Sequence, residues 1–220
     1  MFRFLCLFFV ASLLAGCFGS SATVVSSAGS APTISQAQSE AWNGPKKRIA
    51  VSAFEFRAAQ GSGSIGSGMS DMLTDALFNT GRFIVLERER LNEVTEEQDL
   101  ANSGRFKKET AAPIGQLEGA ELLIRGSVTQ FEPNCKGGSI IIVSGKEACV
   151  AINLRILDAK TGRVVNATTV TGTSGNASVG IIFAGGALPV GLGAYSRTPM
   201  EAAIRNCIET AVQFIVNNKL

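Results

Sequence analysis

The C-terminal part of the sequence carries one continuous apolar stripe at helical spacing. In the segment TPMEAAIRNCIETAVQFIVNN, apolar residues recur at intervals of three and four, which predicts an amphipathic helix. Thr198 as N-cap, Pro199 at the first helical position and Glu201 as the partner in a capping box predict where this helix begins. One whole face of the helix must then be buried against other elements. The stripe consists of Met200, Ala203, Ile204, Cys207, Ile208, Ala211, Val212 and Ile215.

The preceding sequence predicts strands on which that helix can pack. KKRIAVSAFEF predicts a first strand, and the unbroken apolar run FIVLE predicts a second strand that is buried on both faces. AELLIRGSVTQFE predicts a third strand. VAINLRILD alternates apolar and polar residues, and DAKTG turns the chain into RVVNATTVT, so these two strands are predicted to form a hairpin.

Two further helices are predicted between the strands. SGMSDMLTDALFNTGRF contains an amphipathic helix that starts near Met69 and stops at Gly81 in a left-handed cap. RERLNEVTEEQDL predicts a charged surface helix. Only one strand–helix–strand unit can be drawn, because the second half of the chain becomes a hairpin and a terminal helix. The predicted fold class is therefore α+β, a mixed β-sheet with helices packed on it and an amphipathic C-terminal helix.

Composition removes several classes of function. The formal net charge of +2, without an aromatic-rich basic patch, argues against a nucleic-acid partner. The chain contains no histidine, which removes His-based acid–base catalysis and most zinc sites. Asp71 and Asp75 lie four residues apart on one helix face, and a solvated face explains them better than a catalytic carboxylate pair. We therefore expect no enzyme, no catalytic residue, no cofactor and no metal.

The first residues, MFRFLCLFFVASLLAGC, have the pattern of a secretory signal. One positive charge at Arg3 is followed by an apolar run that is too short for a permanent membrane helix, and then by small residues. Leu14-Ala15-Gly16-Cys17 resembles the bacterial lipobox, which implies cleavage before Cys17 and a diacylglycerol on its sulfur. The alternative is an ordinary signal peptide that happens to contain Cys17. Phe18, where aspartate would resemble an inner-membrane retention signal, favours the outer membrane.

These features divide the chain into three parts. Residues 1–16 are predicted to be a lipoprotein signal peptide. Residues 17–45 begin with the lipidated Cys17 and continue as a flexible tether, because they are rich in Ser, Ala, Gly, Thr and Gln and contain almost no charge. Residues 46–220 are predicted to be the folded domain.

The segment GSGSIG, Gly61 to Gly66, fits the G-x-G-x-x-G pattern of a dinucleotide-binding turn. Four residues, Arg57 to Gln60, separate it from the preceding strand, whereas a dinucleotide-binding turn leads almost directly from strand to helix. A six-residue match is also weak evidence in a chain with 24 glycines. We therefore interpret the segment as a flexible loop.

The cysteines outside the N-terminal region are Cys135, Cys149 and Cys207. Cys207 lies on the apolar stripe of the last helix and is expected to be a buried small hydrophobe. Cys135 and Cys149 flank KGGSIIIVSGKEA, whose glycines favour turns. In an oxidising compartment, we expect a disulfide between them across the base of a hairpin.

Several stretches together resemble the curli secretion lipoproteins, the CsgG/HfaB family. They are SDMLTDALFNTGRFIVLERERLNEVTEEQ, GAELLIRGSVTQFE, VAINLRILDAKTGRVV and EAAIRNCIETAVQFIVN, in the family's order and with the lipobox in the right place. The resemblance implies a protein that is lipid-anchored at the outer membrane with its domain facing the periplasm. It also implies a homo-oligomeric ring in which each subunit contributes two β-hairpins to one large barrel, through which unfolded fibre subunits pass.

The sequence departs from that family pattern in both hairpin insertions, at about 133–149 and 166–197. A membrane-spanning hairpin needs roughly 20 residues, and only 13 residues separate Cys135 from Cys149. The second region, Val164 to Tyr195, is long enough, and its apolar, glycine-broken sequence fits either a membrane hairpin or an apolar loop that packs on neighbours.

The other departure concerns the glycine segment. In the secretion channels, the loop between the first strand and the first helix lines the pore constriction with aromatic and amide side chains. The residues at that place here, Gly61, Ser62, Gly63, Ser64, Ile65 and Gly66, are therefore the candidate pore-facing loop, without an aromatic side chain. The resulting expectation is an oligomeric transport or assembly component for secreted fibre subunits or other surface-structure proteins. The alternative is a periplasmic scaffold with the same domain and no pore.

Overall fold

The computed structural model describes residues 22–24, 42–135, 147–174 and 187–217. Three short helical turns, at Ala101–Arg105, Lys108–Thr110 and Gly193–Tyr195, accompany the longer elements. The longer helices are α1 (Gly63–Asn79), α2 (Leu91–Leu100) and α3 (Pro199–Asn217). The strands are β1 (Ala22–Val24), β2 (Lys47–Val51), β3 (Glu55–Phe56), β4 (Phe83–Leu86), β5 (Leu122–Glu132), β6 (Cys149–Asp158) and β7 (Val164–Thr173).

The strands form one mixed sheet in the order β1-β7-β6-β5-β2-β4. Strands β4, β2 and β5 are parallel, whereas β5, β6, β7 and β1 are antiparallel to their neighbours. Strand β3 continues beside β5 beyond the end of β2. The β6–β7 hairpin turns through Asp158, whose carboxylate accepts from the backbone N–H of Thr161 at 2.7 Å. The α+β prediction with a mixed sheet is confirmed.

Helices α1 and α3 pack side by side on one face of this sheet. Helix α1 lies over the parallel half and α3 over β6 and β7, and the two helices also contact each other. The sheet supplies the inward-facing side chains of Ile49, Ile124, Ile152, Leu154 and Ile156, none more than 1% exposed, to a single apolar core. Every residue of the predicted C-terminal stripe is buried in that core, as expected.

Helix α3 is buried beyond its apolar stripe. Arg205, Asn206, Glu209 and Thr210 are also buried. Asn206 donates from Nδ2 to the carbonyl oxygen of Thr173 at 2.9 Å, and Arg205 donates from Nε to Glu201 Oε1 at 2.9 Å. The Thr210 hydroxyl donates to the carbonyl of Asn206 at 2.9 Å. Arg205, Asn206 and Thr210 are tolerated in the interior because each makes at least one hydrogen bond.

Gly172 allows α3 to approach strand β7 closely. A Cβ atom at this position would lie 2.2 Å from the carbonyl oxygen of Ala203 and 2.4 Å from the backbone nitrogen of Cys207. No side chain fits between the strand and the helix backbone at these distances. The glycine therefore determines how deeply the terminal helix sits on the sheet.

Helix α3 begins at Pro199 directly after Thr198, as predicted, whereas the capping hydrogen bond of Glu201 and the start of α1 differ from the prediction. Glu201 accepts the backbone N–H of Arg197 at 2.6 Å, one residue earlier than the N-cap expected at Thr198, and the Thr198 hydroxyl donates to the carbonyl of Tyr195. This backbone N–H, followed by Arg205, holds the pKa of Glu201 below its ordinary value. Helix α1 begins at Gly63, six residues before the predicted start near Met69. Its predicted end is confirmed, with Gly81 at φ +66°.

Strand β4 is an edge strand, which corrects the prediction that it is buried on both faces. Phe83 and Val85 face α1 and are partly buried, whereas Ile84 points away and is 41% exposed. No residue of β4 is fully buried. An unbroken apolar run is typical of a central parallel strand, but here no further described strand pairs beyond β4.

The segment that we expected to be a tether contributes to the sheet. Ala22–Val24 pair with Gly172, Thr171 and Val170 of β7 in antiparallel register, so these three residues do not form a simple spacer. In the parts of the chain that the structure describes, no helix combines the length and apolar character needed to cross a membrane.

We expect Gly172→Ala to lower the free energy of unfolding by about 1–3 kcal/mol, because the added methyl group must displace the backbone of α3. Urea unfolding of the purified chain measures the change. Gly193→Ala is the matched control, because an added Cβ there meets no atom within 4 Å. Equal stability of the Gly172→Ala variant and the parent would contradict the proposed role of Gly172.

Candidate functional site

One end of the domain brings together most of the segments that the sequence singled out. We call it the loop pole: residues 57–66, the end of β5 at 131–135, the start of β6 at 147–149 and the segment 187–196. Because β3 runs parallel to β5 and β6 runs back antiparallel, residue 57, the end of β5 and the start of β6 lie at the same end of the sheet. Candidate loops far apart in sequence are therefore neighbours.

The glycine segment is only partly a loop. Gly61 and Ser62 precede α1, and Gly63 to Gly66 form its first turn, which corrects the interpretation of the whole segment as a flexible loop. Gly61 has φ +125°, and a Cβ there would lie 2.5 Å from the ring of Phe56. This tight turn needs glycine because other residues rarely adopt that backbone conformation.

The last two residues of the segment face the interior. Ile65 is 1% exposed and belongs to the core. A Cβ at Gly66 would lie 2.1 Å from the carbonyl oxygen of Phe54, so glycine allows α1 to contact the backbone between β2 and β3. Of the six candidate pore-facing residues, only Gly61, Ser62, Gly63 and Ser64 are exposed. The hydroxyls of Ser62 and Ser64 are 2.7 Å apart, so the exposed surface is small and polar.

The structure also shows how this segment differs from a dinucleotide-binding turn. Strands β2 and β4 with α1 form the expected strand–helix–strand unit. However, residues 52–62, including the short strand β3, lie between the end of β2 and the start of α1. A dinucleotide-binding turn leads from strand to helix without such an insertion.

An aromatic cluster supports the loop pole from beneath. The rings of Phe56 and Phe131 are 6.3 Å apart and those of Phe131 and Tyr195 are 5.0 Å apart, both in edge-to-face geometry. Beside them, Ala58, Gln60, Thr129 and the chain around Glu132 line an open groove of about 300 Å³. The sequence did not predict this cluster. Phe56 lies 75 residues before Phe131 and Tyr195 lies 64 residues after it, so the three rings come together only in the folded chain.

The segment 187–196 packs back onto the domain. Leu188 and Leu192 are buried, and Leu192 lies against Gly68 of α1. Because β7 uses Val164–Thr173, the expected hairpin at 166–197 is engaged in the domain at both ends. The residues between those ends, 175–186, and residues 136–146 of the other expected insertion lie outside the described residues, as does Cys17.

Cys135 and Cys149 are joined by a disulfide, with their Cα atoms 5.7 Å apart. The backbone N–H of Cys135 donates to the carbonyl of Glu147 at 2.9 Å, next to the bond. The disulfide therefore closes the β5–β6 connection at its base, where the two cysteines are 14 residues apart in sequence. Closing a loop of this length removes conformational entropy from the unfolded chain, which stabilises the fold by about 3 kcal/mol in the simplest treatment.

Three described titratable groups outside the disulfide have a raised pKa because they are buried or partly buried. Burial raises the pKa of the Cys207 thiol to about 12, which makes it a poor nucleophile. Partial burial, followed by the neighbouring Glu89, raises the pKa of Asp71, and partial burial followed by Glu87 raises that of Asp75. These two carboxylates lie on α1, away from the glycine segment. Among the described residues, no cluster of His, Cys, Asp and Glu is arranged to hold a metal ion.

We expect a membrane-impermeant maleimide to leave Cys135 and Cys149 unmodified in the absence of reductant, because both sulfurs are bonded. Peptide mapping after labelling in denaturant should find Cys207 modified, which serves as the internal control for a free thiol. After reduction, all three should react. Modification of both Cys135 and Cys149 without reductant would contradict the pairing.

Comparison with known proteins places these features in a family. The model of the family "Curli production assembly/transport component CsgG" matches residues 31–220. The curated protein of that name from Salmonella typhimurium is 24% identical over 180 residues, which cover 74% of this chain and 65% of the relative. The match thus spans just under two thirds of the relative's length.

Solved structures that the chain resembles include the PelC dodecamer from Paraburkholderia phytofirmans, at 16% identity and a TM-score of 0.42. That match covers 87% of this chain and 96% of PelC. The hypothetical protein CT253 from Chlamydia trachomatis aligns at 12% identity and a TM-score of 0.48, with 78% of this chain and 96% of CT253 covered. The family match extends over the last part of the tether, strands β2 to β7 and all three helices, and the chain belongs to the CsgG family of curli production assembly/transport components.

Proposed function

We propose that the protein is a non-enzymatic, outer-membrane-anchored lipoprotein that acts as an oligomeric assembly or transport component for surface fibre subunits. The observation that carries this proposal is the family match over residues 31–220, because relatives of that family are named for curli assembly and transport. The domain faces the periplasm in this proposal, and the lipid on Cys17 holds it at the membrane.

The geometry of the loop pole supports a role in which the chain handles another polypeptide. The exposed part of the glycine segment, Gly61 to Ser64, carries no side chain larger than serine. If subunits surround a passage with this segment at its rim, the rim is wide and polar and binds a passing chain weakly. Weak and nonspecific contact is what transport of many different segments of an unfolded polypeptide requires.

A second candidate function, a periplasmic scaffold without a pore, is supported by the length of the first insertion. Thirteen residues separate Cys135 from Cys149, and the disulfide fixes both ends of that segment. This length is below the roughly 20 residues that a membrane-spanning hairpin needs. In a scaffold, the same loop pole presents short segments to a partner protein.

We expect Cys17→Ser to move the full-length protein from the membrane fraction to the soluble fraction of expressing bacteria, because the variant has no thiol to accept a diacylglycerol. Several acyl chains on one cysteine give stable anchoring, at about 0.8 kcal/mol per buried methylene. Cys6→Ser is the matched control. Cys6 lies in the same N-terminal segment, but within the predicted signal peptide and not at the predicted cleavage site. Membrane retention of the Cys17→Ser variant would refute the anchor at this residue.

We expect the full chain, extracted from membranes in mild detergent, to have the native mass of a discrete ring of many subunits. Light scattering coupled to size-exclusion chromatography measures this mass. Conductance of the purified ring in a planar bilayer then separates transport from scaffolding: a steady open current supports the channel, and an electrically silent ring supports the scaffold. A monomer or dimer would contradict the oligomeric part of the proposal.

A further inference from the structure

One long stretch of the chain contributes no buried residue to the core. From residue 81 to residue 121, the structure contains no buried residue. This stretch includes strand β4 at the edge of the sheet and the connection from β4 to β5, which we call the crossover arm (residues 87–121). Forty-one consecutive residues without a buried position are unusual in a chain whose other elements share one apolar core.

The crossover arm nevertheless carries large apolar side chains. Helix α2 has no buried residue and packs chiefly against the turn that follows it. Phe106 is 50% exposed and Ile114 is 62% exposed. The exposed large apolar side chains of the arm are Val94, Leu100, Phe106, Ile114 and Leu117. These exposed side chains follow one another within a single stretch of the chain, and exposed apolar side chains that form a patch mark an interaction surface.

The same side of the molecule is acidic. The crossover arm contains nine carboxylates and five basic side chains, so its formal net charge is −4. Four of these carboxylates are on the exposed faces of α2: Glu93, Glu96, Glu97 and Asp99. The partner for this surface must therefore combine apolar contact with positive charge.

A surface of that kind exists on the other face of this chain's own sheet. We call it the open face, because neither α1 nor α3 covers it. Arg125 of β5 and Arg155 of β6 are directly opposite each other in the ladder. Together with Arg57 and Glu55, they surround a shallow depression of about 280 Å³ with a net positive charge. Leu157 and Val164 also line this depression.

The two opposed arginines have only one carboxylate of the domain near them. Glu55 pairs with Arg57 at 2.7 Å, and Arg57 first, then the charge of Arg125, lowers the pKa of Glu55. Among the described residues, neither Arg125 nor Arg155 has a carboxylate within ion-pair distance. Like charges directly opposite each other on neighbouring strands destabilise a sheet. Carboxylates from outside the domain would remove this repulsion and gain charge-assisted hydrogen bonds.

We propose that the crossover arm of one copy of this chain docks on the open face of the next copy, with the carboxylates of α2 on Arg125 and Arg155. The apolar side chains of the arm then cover Leu157 and Val164. The two surfaces are different, so the contact is head-to-tail, and a head-to-tail contact closes into a ring when the rotation between neighbours permits. The inference rests on the oligomer in the proposed function and identifies the surfaces that build it.

The test is a charge exchange in the full chain extracted from membranes in mild detergent. In the Arg125→Glu/Arg155→Glu variant, the two new carboxylates face the carboxylates of α2 and repel them. In the Glu96→Arg/Glu97→Arg variant, the two new arginines face Arg125 and Arg155 and repel them. Each double variant should weaken association at least about tenfold, seen as a fall in native mass at a fixed protein concentration. Combining all four substitutions should restore the parent mass.

Lys160→Glu is the control for net charge, since it lies in the exposed turn of the same β6–β7 hairpin, and it should leave the mass unchanged. Far-ultraviolet circular dichroism verifies that each variant is folded, which is expected because none of the substituted side chains is buried. The association should also weaken between 0.05 M and 0.5 M salt, because screening acts on exposed charges.

The outcomes separate this inference from the proposed function. Restoration by the combined variant supports the contact. A parent oligomer that both double variants leave intact, or that the combination does not restore, overturns this contact while the oligomeric function stands. A monomeric parent overturns both. Binding of a separate protein to the arm of a monomeric parent would show that the occupant is not a second copy.

Discussion

The packing of the C-terminal helix on β6 and β7 is the contact on which the rest of the domain depends. Helix α3 buries its whole apolar stripe there, and it approaches β7 so closely that only glycine fits at position 172. The same strand pairs with β1 on its outer side, and the helix contacts α1 across the core. The depth at which α3 sits therefore affects the antiparallel half of the sheet, the start of the chain and the neighbouring helix together.

Because both long helices occupy one face, the domain is asymmetric, and this asymmetry leaves exposed the two surfaces for which we propose a function. The covered face supplies stability. The loop pole, with the glycine turn above the Phe56–Phe131–Tyr195 cluster, presents a small polar rim on a rigid base. The uncovered face and the β4 edge keep arginines and apolar side chains at the surface at some cost in stability. Such a cost is consistent with a chain that completes its burial in an assembly rather than alone.

Local sequence patterns determined a large part of this structure. The helical spacing of apolar residues in the last segment predicted α3, and the alternation in VAINLRILD with the turn DAKTG predicted the β6–β7 hairpin. These predictions succeed because an element buried on one face has apolar residues at regular intervals. Gly81 predicted the end of α1 for the same kind of reason, since a left-handed cap favours glycine. The oxidising compartment implied by the N-terminal signal predicted the pairing of Cys135 with Cys149.

Other features were decided only by the tertiary structure. An apolar run such as FIVLE has the composition of a central strand, and its position at the edge depends on which strands pair, which no local pattern records. Gly63 to Gly66 have low helix propensity, and they are helical because α1 packs against Phe54. The opposition of Arg125 and Arg155 likewise depends on a register set between distant strands. The sequence by itself determined the elements, because their signals are local, whereas the pairing and depth of those elements follow from long-range packing.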